Sequence, residues 1–170
     1  MPYMILIGIM IRRKLGSPVL FRQVRPGLNG RPFEMIKFRT MRVDAEVTGA
    51  MMASKDDPRR TPIGTFLRKY SLDELPQLFN VLKGEMSIVG PRPERPEFVE
   101  LFEAQIRRYG ERHRVKAGVT GWAQVHGLRG QTSIADRAEW DNYYIENWSI
   151  WLDVKILFLT VRAVLKRAED

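Results

Sequence analysis

The sequence contains no cysteine. Disulfides, cysteine nucleophiles and thiolate metal sites are therefore excluded, and the absence agrees with a cytosolic setting. Only two histidines occur, His113 and His126. Neither has a partner at metal-ligand spacing, so both are expected to be structural. There is no low-complexity tract and no internal repeat. No glycine pattern matches the dinucleotide or triphosphate fingerprints, so glycines by themselves say little about a ligand. Long hydrophobic runs are also missing. The most apolar stretch, residues 1–11, stops at Arg12-Arg13-Lys14, whereas a spanning helix needs about 20 apolar residues. Charge follows that stretch instead of preceding it, and no small-residue cleavage site comes after, so it resembles a signal peptide only superficially.

What is present fits one globular domain. The chain has 170 residues, 44% of them hydrophobic and 28% charged, enough to bury a real core. The net charge of +8 predicts attraction to a polyanion, an anionic membrane surface or a phosphorylated small molecule. A nucleic-acid-binding module is one reading of that charge, but no recognised nucleic-acid motif is found and the arginines are interleaved with acids. Residues 1–11 suit a buried core element or a membrane-inserted or interfacial segment. The basic triplet that ends them, placed to meet anionic headgroups, favours the membrane reading.

Alternation and turn residues predict strands at Val19–Val24 and Phe33–Phe38, joined through Pro26-Gly27-Leu28-Asn29-Gly30 as a hairpin. Period-two spacing puts Lys37 and Arg39 on one face, where two cations can sit over an anion. A short helix is expected from about Val43, then an exposed loop ending at Asp57-Pro58. Helix is expected at Phe66–Tyr70 and at Asp73–Leu82, the latter closed by Gly84 as the residue after the C-cap. Met86–Val89 reads as a short buried segment. Further helices are expected at Arg95–Arg112 and Ile134–Asn147, separated by a glycine-punctuated loop and strand around Lys116–Gly130. The glycines there are expected to let the backbone approach a ligand closely. The end of the chain, from about residue 148, is an amphipathic helix. Tryptophans stand at its start, and Lys155, Arg162, Lys166 and Arg167 punctuate its surface, as in a helix lying at a membrane interface; packing on the core is the other account.

The stretch Pro62–Pro93 carries the candidate chemistry. Two adjacent carboxylates, Asp73 and Glu74, follow Arg59, Arg60, Arg68 and Lys69, and a proline-stiffened Arg92 comes after them. Ser71-Leu72-Asp73-Glu74 fits a capping box, with Glu74 reaching back to the Ser71 backbone N–H. Acids among fixed cations equally suit chemistry on a phosphorylated substrate. The two roles are compatible. Prolines on both sides of Arg92 present its guanidinium at low entropic cost. Arg137 and Asp141, four apart, lie on one helix face and read more simply as an ion pair.

Several segments taken together resemble the bacterial sugar transferase family, the monotopic phosphoglycosyl transferases. They are Phe21-Arg22-Gln23, Lys37-Phe38-Arg39-Thr40-Met41, Ser71-Leu72-Asp73-Glu74-Leu75-Pro76-Gln77, Val89-Gly90-Pro91-Arg92-Pro93 and Gly118-Val119-Thr120-Gly121-Trp122-Ala123-Gln124. The resemblance covers about residues 17–165. It implies a compact, helix-rich α/β (α+β type) catalytic domain with short strands over 17–170. The hydrophobic segment 1–16 would be a partial re-entrant helix, because Pro2 stands where the family's longer membrane helix is broken. The implied reaction moves a sugar 1-phosphate from a UDP-sugar to polyprenyl (undecaprenyl) phosphate through a phosphosugar-aspartate, early in exopolysaccharide assembly. The implied location is the cytoplasmic face of the bacterial inner membrane. By the same resemblance Asp73 is the nucleophile and the Mg2+ ligand, and Glu74 assists it. Lys37, Arg68, Arg92, Arg137 and Asp141 frame the diphosphate and uridine. A homodimer is compatible with this reading; a catalytically idle membrane-surface protein has no use for the dyad or the rigid Arg92 loop.

Overall fold

The computed structural model describes residues 2–45, 47, 49, 57–130 and 132–169, with side chains through residue 166. The architecture is helix-rich α/β with short strands, as expected. The expected hairpin is present: β1 (Leu20–Pro26) pairs antiparallel with β2 (Pro32–Phe38), Leu20 opposite Phe38 and Pro26 opposite Pro32. Asn29 and Gly30 turn the chain with φ of 54° and 73°, a region these two residues enter at little cost.

Helix α1 (Pro2–Leu15) buries Ile7 and Ile11 against Phe38 and Leu67, while Tyr3, Ile5, Leu6 and Ile9 point outward. It closes with Gly16 at φ 74°, whose N–H donates to Arg12 O at 3.1 Å. Arg39, just past β2, donates to the carbonyls of Leu15 (2.6 Å), Gly16 (3.1 Å) and Ser17 (3.1 Å). Lys37 and Arg39 both line the cavity described below, and the Arg39 guanidinium is engaged by these three carbonyls. The last carbonyls of a helix have no donors of their own, and a buried guanidinium supplies them.

Helix α2 (Pro62–Lys69) starts four residues before the expected position. Thr61 caps it, accepting from Gly64 N at 3.1 Å, and Pro62 takes the first turn, where its missing N–H costs nothing. A Cβ on Gly64 would stand 1.9 Å from Thr40 O, so only glycine lets α2 press on the end of β2. Residues 43–45 form a turn where a helix was expected; residues 46, 48 and 50–56 of the following loop lie outside the described residues. Leu72–Glu74 is a single 3-10 turn, and α3 (Gln77–Leu82) begins only after Pro76. It ends as expected, with Gly84 at φ 78°.

Strand β3 (Ser87–Val89) pairs in parallel with β4 (Gly118–Thr120). A Cβ on Gly118 would meet Gly90 N at 2.2 Å, and one on Gly121 would meet Gly90 O at 2.2 Å. These glycines serve contact between backbones, not the ligand approach expected of them. Helix α4 (Pro96–Gln105) is shorter than expected: the chain leaves it at Ile106, passes through Arg108 at φ 62° and continues as a 3-10 segment, Tyr109–Arg114. The break turns Tyr109 inward against Phe102 and Ala138, and it buries Arg112, which a continuous helix would have aimed elsewhere.

After α5 (Trp122–Val125), helix α6 (Ile134–Glu146) is capped by Ser133, which accepts from Asp136 N at 3.1 Å. Helix α7 (Ile150–Glu169) is amphipathic as expected. Its inner face places Ile156, 0% exposed, beside Val89, Trp122 and Tyr144, with Leu152 and Leu159 flanking it. Full burial of such a side chain contributes about 1.5–3 kcal/mol. Thr160 Oγ1 lies 2.7 Å from Thr120 Oγ1, and Tyr144 donates to Asp153 at 2.8 Å, which fixes the helix to β4 and α6. Its outer face carries Trp151, Phe158 and Leu165; the Arg167 side chain lies outside the described residues. Among the described residues no helix is long and apolar enough to cross a membrane.

Candidate active site

A cavity of about 400 Å³ opens between the hairpin, α2, the Leu72–Glu74 turn, the Arg92 loop and the start of α4. Nearly every contributing element brings an arginine or lysine, against the carboxylates of Asp73 and Glu94. Such a wall favours anions and holds them away from bulk water, where fixed charges act most strongly.

The turn bearing the dyad is fastened from behind. Leu72 and Leu75 pack on the cluster of Ile7, Ile11, Phe38 and Leu67, while Asp73 lines the cavity and Glu74 stands behind its Lys37 and Arg92 walls. The expected capping box does not form. Ser71 is left-handed at φ 56°, ψ 21°, and its side chain makes no cap. Glu74 has stronger partners than one backbone N–H: Lys37 Nζ at 3.0 Å, Arg92 NH1 at 3.2 Å, and Arg92 NH2, whose donation makes the Arg92 contact two-pronged. Burial alone would raise its pKa, but Arg92 and Lys37 together override that and hold it well below the usual glutamate range. Glu74 in turn holds the Arg92 guanidinium protonated more firmly than usual. Burial lowers Lys37, outweighing the attraction of Glu74.

Asp73 differs from its neighbour. It is 6% exposed and lines the cavity, and its carboxyl accepts no hydrogen bond from any described residue. Burial, then the adjacent Glu74 charge, raise its pKa above the usual aspartate value against the pull of Lys37, Arg68 and Arg92. Arg68 reaches in from α2, its Nε donating to Thr40 Oγ1 at 2.9 Å. Burial lowers its pKa, with Asp73 the first charge to oppose that.

Of the residues expected to frame a substrate, Lys37, Arg68, Arg92 and Arg137 line the cavity; Asp141 does not. Nor do Arg137 and Asp141 pair with each other. Arg137 donates to Glu94 at 2.8 Å and to carbonyl and hydroxyl oxygens of Gly130 and Thr132. Asp141, 2% exposed, pairs with Arg112 at 2.8 Å. Both side chains sit on the buried face of α6, where each is claimed by a charge from another element. Sequence reasoning missed Glu94 and Arg95, although they continue the proline-fixed loop directly. It also missed Arg25, whose pKa burial and then Arg92 push down to about 10. The histidines are structural as expected: His126 Nδ1 is 2.9 Å from Trp122 O, and His113 packs against Tyr109. Among the described residues no three His, Cys, Asp or Glu side chains gather to hold a metal ion.

A cation-lined cavity around one unencumbered carboxylate is the form of a phosphate-handling site. The model of the family described as "Bacterial sugar transferase" matches residues 1–167, and the chain belongs to that family. It is 50% identical over 169 residues to the UDP-glucose:undecaprenyl-phosphate glucose-1-phosphate transferase of Xanthomonas campestris pv. campestris, covering 96% of this chain and 35% of that protein. It is 51% identical over 156 residues to the uncharacterized sugar transferase EpsL of Bacillus subtilis, covering 91% of this chain and 74% of that one. It is 45% identical over 168 residues to the UDP-N-acetylgalactosamine-undecaprenyl-phosphate N-acetylgalactosaminephosphotransferase of Aeromonas hydrophila, covering 96% and 39%. The chain thus spans about a third of the length of the Xanthomonas and Aeromonas relatives.

Proposed function

We propose that the protein transfers a sugar 1-phosphate from a UDP-sugar to polyprenyl phosphate, at the cytoplasmic face of a bacterial inner membrane. The observation that carries this reading is the division of labour within the dyad: Glu74 is saturated by Lys37 and Arg92, whereas Asp73 is buried, flanked by cations and open to the cavity. A carboxylate of that kind is a nucleophile in waiting.

In the first step an Asp73 carboxylate oxygen attacks the β-phosphorus of the UDP-sugar. A P–O bond forms, the bridging P–O bond to the α-phosphate breaks, and UMP departs with the electron pair. In the second step a phosphate oxygen of the polyprenyl phosphate attacks the same phosphorus, which gives polyprenyl diphosphate sugar and restores the Asp73 carboxylate. Arg68, Lys37 and Arg92 hold the phosphate oxygens as charge redistributes, and Glu74 keeps Lys37 and Arg92 in place. Arg137 and Glu94, paired with each other, form a further part of the cavity wall. Mg2+ fits the site through the open Asp73 carboxylate, since this ion commonly takes one or two carboxylates plus phosphate oxygens and water; it would neutralise diphosphate charge. The exposed apolar faces of α1 and α7 support seating the domain on lipid, where the acceptor resides.

Intact-mass measurement after incubation with Mg2+ and a panel of UDP-sugars, without acceptor, tests this. A gain of one phosphosugar, absent in Asp73→Asn, is expected and names the sugar. UMP release by Asp73→Asn at the wild-type rate would overturn the nucleophile assignment.

A further inference from the structure

The loop Gly90-Pro91-Arg92-Pro93 presents the guanidinium that saturates Glu74, yet it is poor in hydrogen-bond donors of its own. Two of its residues are prolines and have no N–H. Its carbonyls are instead held from outside, one after another. Pro91 O accepts from Gly118 N at 2.9 Å, Arg92 O from Arg112 NH2 at 2.9 Å, and Pro93 O from Arg25 NH1 at 3.3 Å. The middle contact is the one made by a fully buried charge. Arg112 is 3% exposed and Asp141 2%. Arg112 Nε donates to Asp141 Oδ2 at 2.9 Å, and the guanidinium lies 4.9 Å from the centre of the Tyr109 ring. Carboxylate, aromatic face and backbone carbonyl thus fix it from three directions.

Neither Arg112 nor Asp141 lines the cavity. A buried ion pair is a weak source of stability, because desolvation offsets the attraction, and apolar residues of similar volume often replace it without loss. The pair here has a different output: its free N–H ends on the backbone of the residue whose side chain grips Glu74, next to Asp73. We propose that Arg112, oriented by Asp141, is a positioning residue that sets the Arg92 loop. A chain of contacts then runs from α6 through Asp141, Arg112 and the Arg92 backbone to Glu74. The inference rests on the phosphoglycosyl-transfer reading for its catalytic consequence, but the clamp itself is testable apart from it.

The test uses the full chain and three variants. Arg112→Met alone strands the Asp141 charge and is expected to lower Tm. The double variant Arg112→Met with Asp141→Leu removes both charges at similar volume and is expected to keep Tm within a few degrees of wild type. At that unchanged Tm, amide exchange in segment 88–95 is expected to quicken about tenfold, and phosphosugar adduct formation to slow about tenfold. Arg112→Lys keeps the charge but not the forked geometry, and is expected to fold and remain slow. Unchanged exchange in a folded double variant overturns the clamp. Quickened exchange with an unchanged adduct rate overturns its catalytic role. If wild type forms no adduct with any UDP-sugar, the transferase reading fails instead, and the exchange measurement still decides the clamp.

Discussion

Around the cavity, charged side chains are hidden: Asp73 and Arg137 are each 6% exposed and Arg39 5%. Along the outer faces of α1 and α7 the opposite holds, with Tyr3 76% exposed and Trp151 82%. The two regions have exchanged the usual places of polar and apolar groups, and each exchange has a cost. Hidden charges lose hydration and must find one another, as Glu74, Lys37 and Arg92 do. Exposed apolar faces remain in contact with water unless something covers them. A domain that carries both keeps strong fixed charge around a cavity and leaves apolar faces on its exterior. The proposed transfer from a water-soluble nucleotide sugar to a membrane-borne acceptor calls for that division.

The comparison can be broken most sharply at the dyad. Asp73→Asn is expected to slow adduct formation by about 1000-fold or more, roughly 4 kcal/mol in barrier, and Glu74→Gln by clearly less; equal losses in an intact-mass time course would erase the distinction between the two carboxylates. Arg92→Ala is expected to lower kcat/KM by on the order of 100-fold, the usual loss when one preorganised charge donor is removed; an unchanged value in steady-state kinetics would take Arg92 out of the site. On the exposed apolar side of α7, Trp151→Ser combined with Phe158→Ser is expected to reduce partitioning onto anionic vesicles by about tenfold or more. Tm should stay unchanged, because both side chains are exposed, and equal co-sedimentation would show that α7 does not touch lipid.

The two carboxyls also titrate in opposite senses. In the proposed transfer Asp73 attacks as the carboxylate, so its raised pKa is expected to place the acid limb of the adduct rate above the usual aspartate value, with the rate falling tenfold per pH unit below it. Glu74, with its depressed pKa, stabilises the fold at pH above the usual glutamate value, and that contribution is lost as pH falls toward its lowered value. A rate profile whose acid limb lies below the ordinary aspartate range would contradict the first statement. The smallest effect concerns Ser71. In its left-handed conformation, Ser71→Gly is expected to stabilise by about 0.5 kcal/mol, whereas loss of a capping serine would destabilise; the sign in urea titration separates the two.

Much of the framework was legible because it is local. Asn29-Gly30 marks the hairpin turn, Gly84 marks the end of α3, and the period of Ile134–Asn147 predicts α6 to within a residue. The errors share a cause. Ser71-x-x-Glu74 spells a capping box, but Glu74 meets two cations from β2 and the Arg92 loop, which outbid a single backbone N–H. Arg137 and Asp141 have the spacing of an ion pair, but burial brings Glu94 and Arg112 within reach. Arg95–Arg112 has helical periodicity, yet Tyr109 and Arg112 are wanted in the interior. Gly118 and Gly121 look like ligand glycines and turn out to accommodate Gly90. In each case a contact distant in sequence prevailed over a local preference, and sequence spacing carries no record of such contacts. The dyad and the arginine loop were legible because their residue types are chemically unusual together, whereas Arg25 and Glu94 join the cavity only through folding.

Arg39 changes what kind of joint links α1 to the rest of the molecule. A helix leaving a domain commonly does so through a loose connector that lets it swing. Here one guanidinium gathers three successive carbonyls across the exit of α1, which ties the helix to the end of the hairpin. A surface that held α1 would therefore hold the hairpin too, and with it one wall of the cavity.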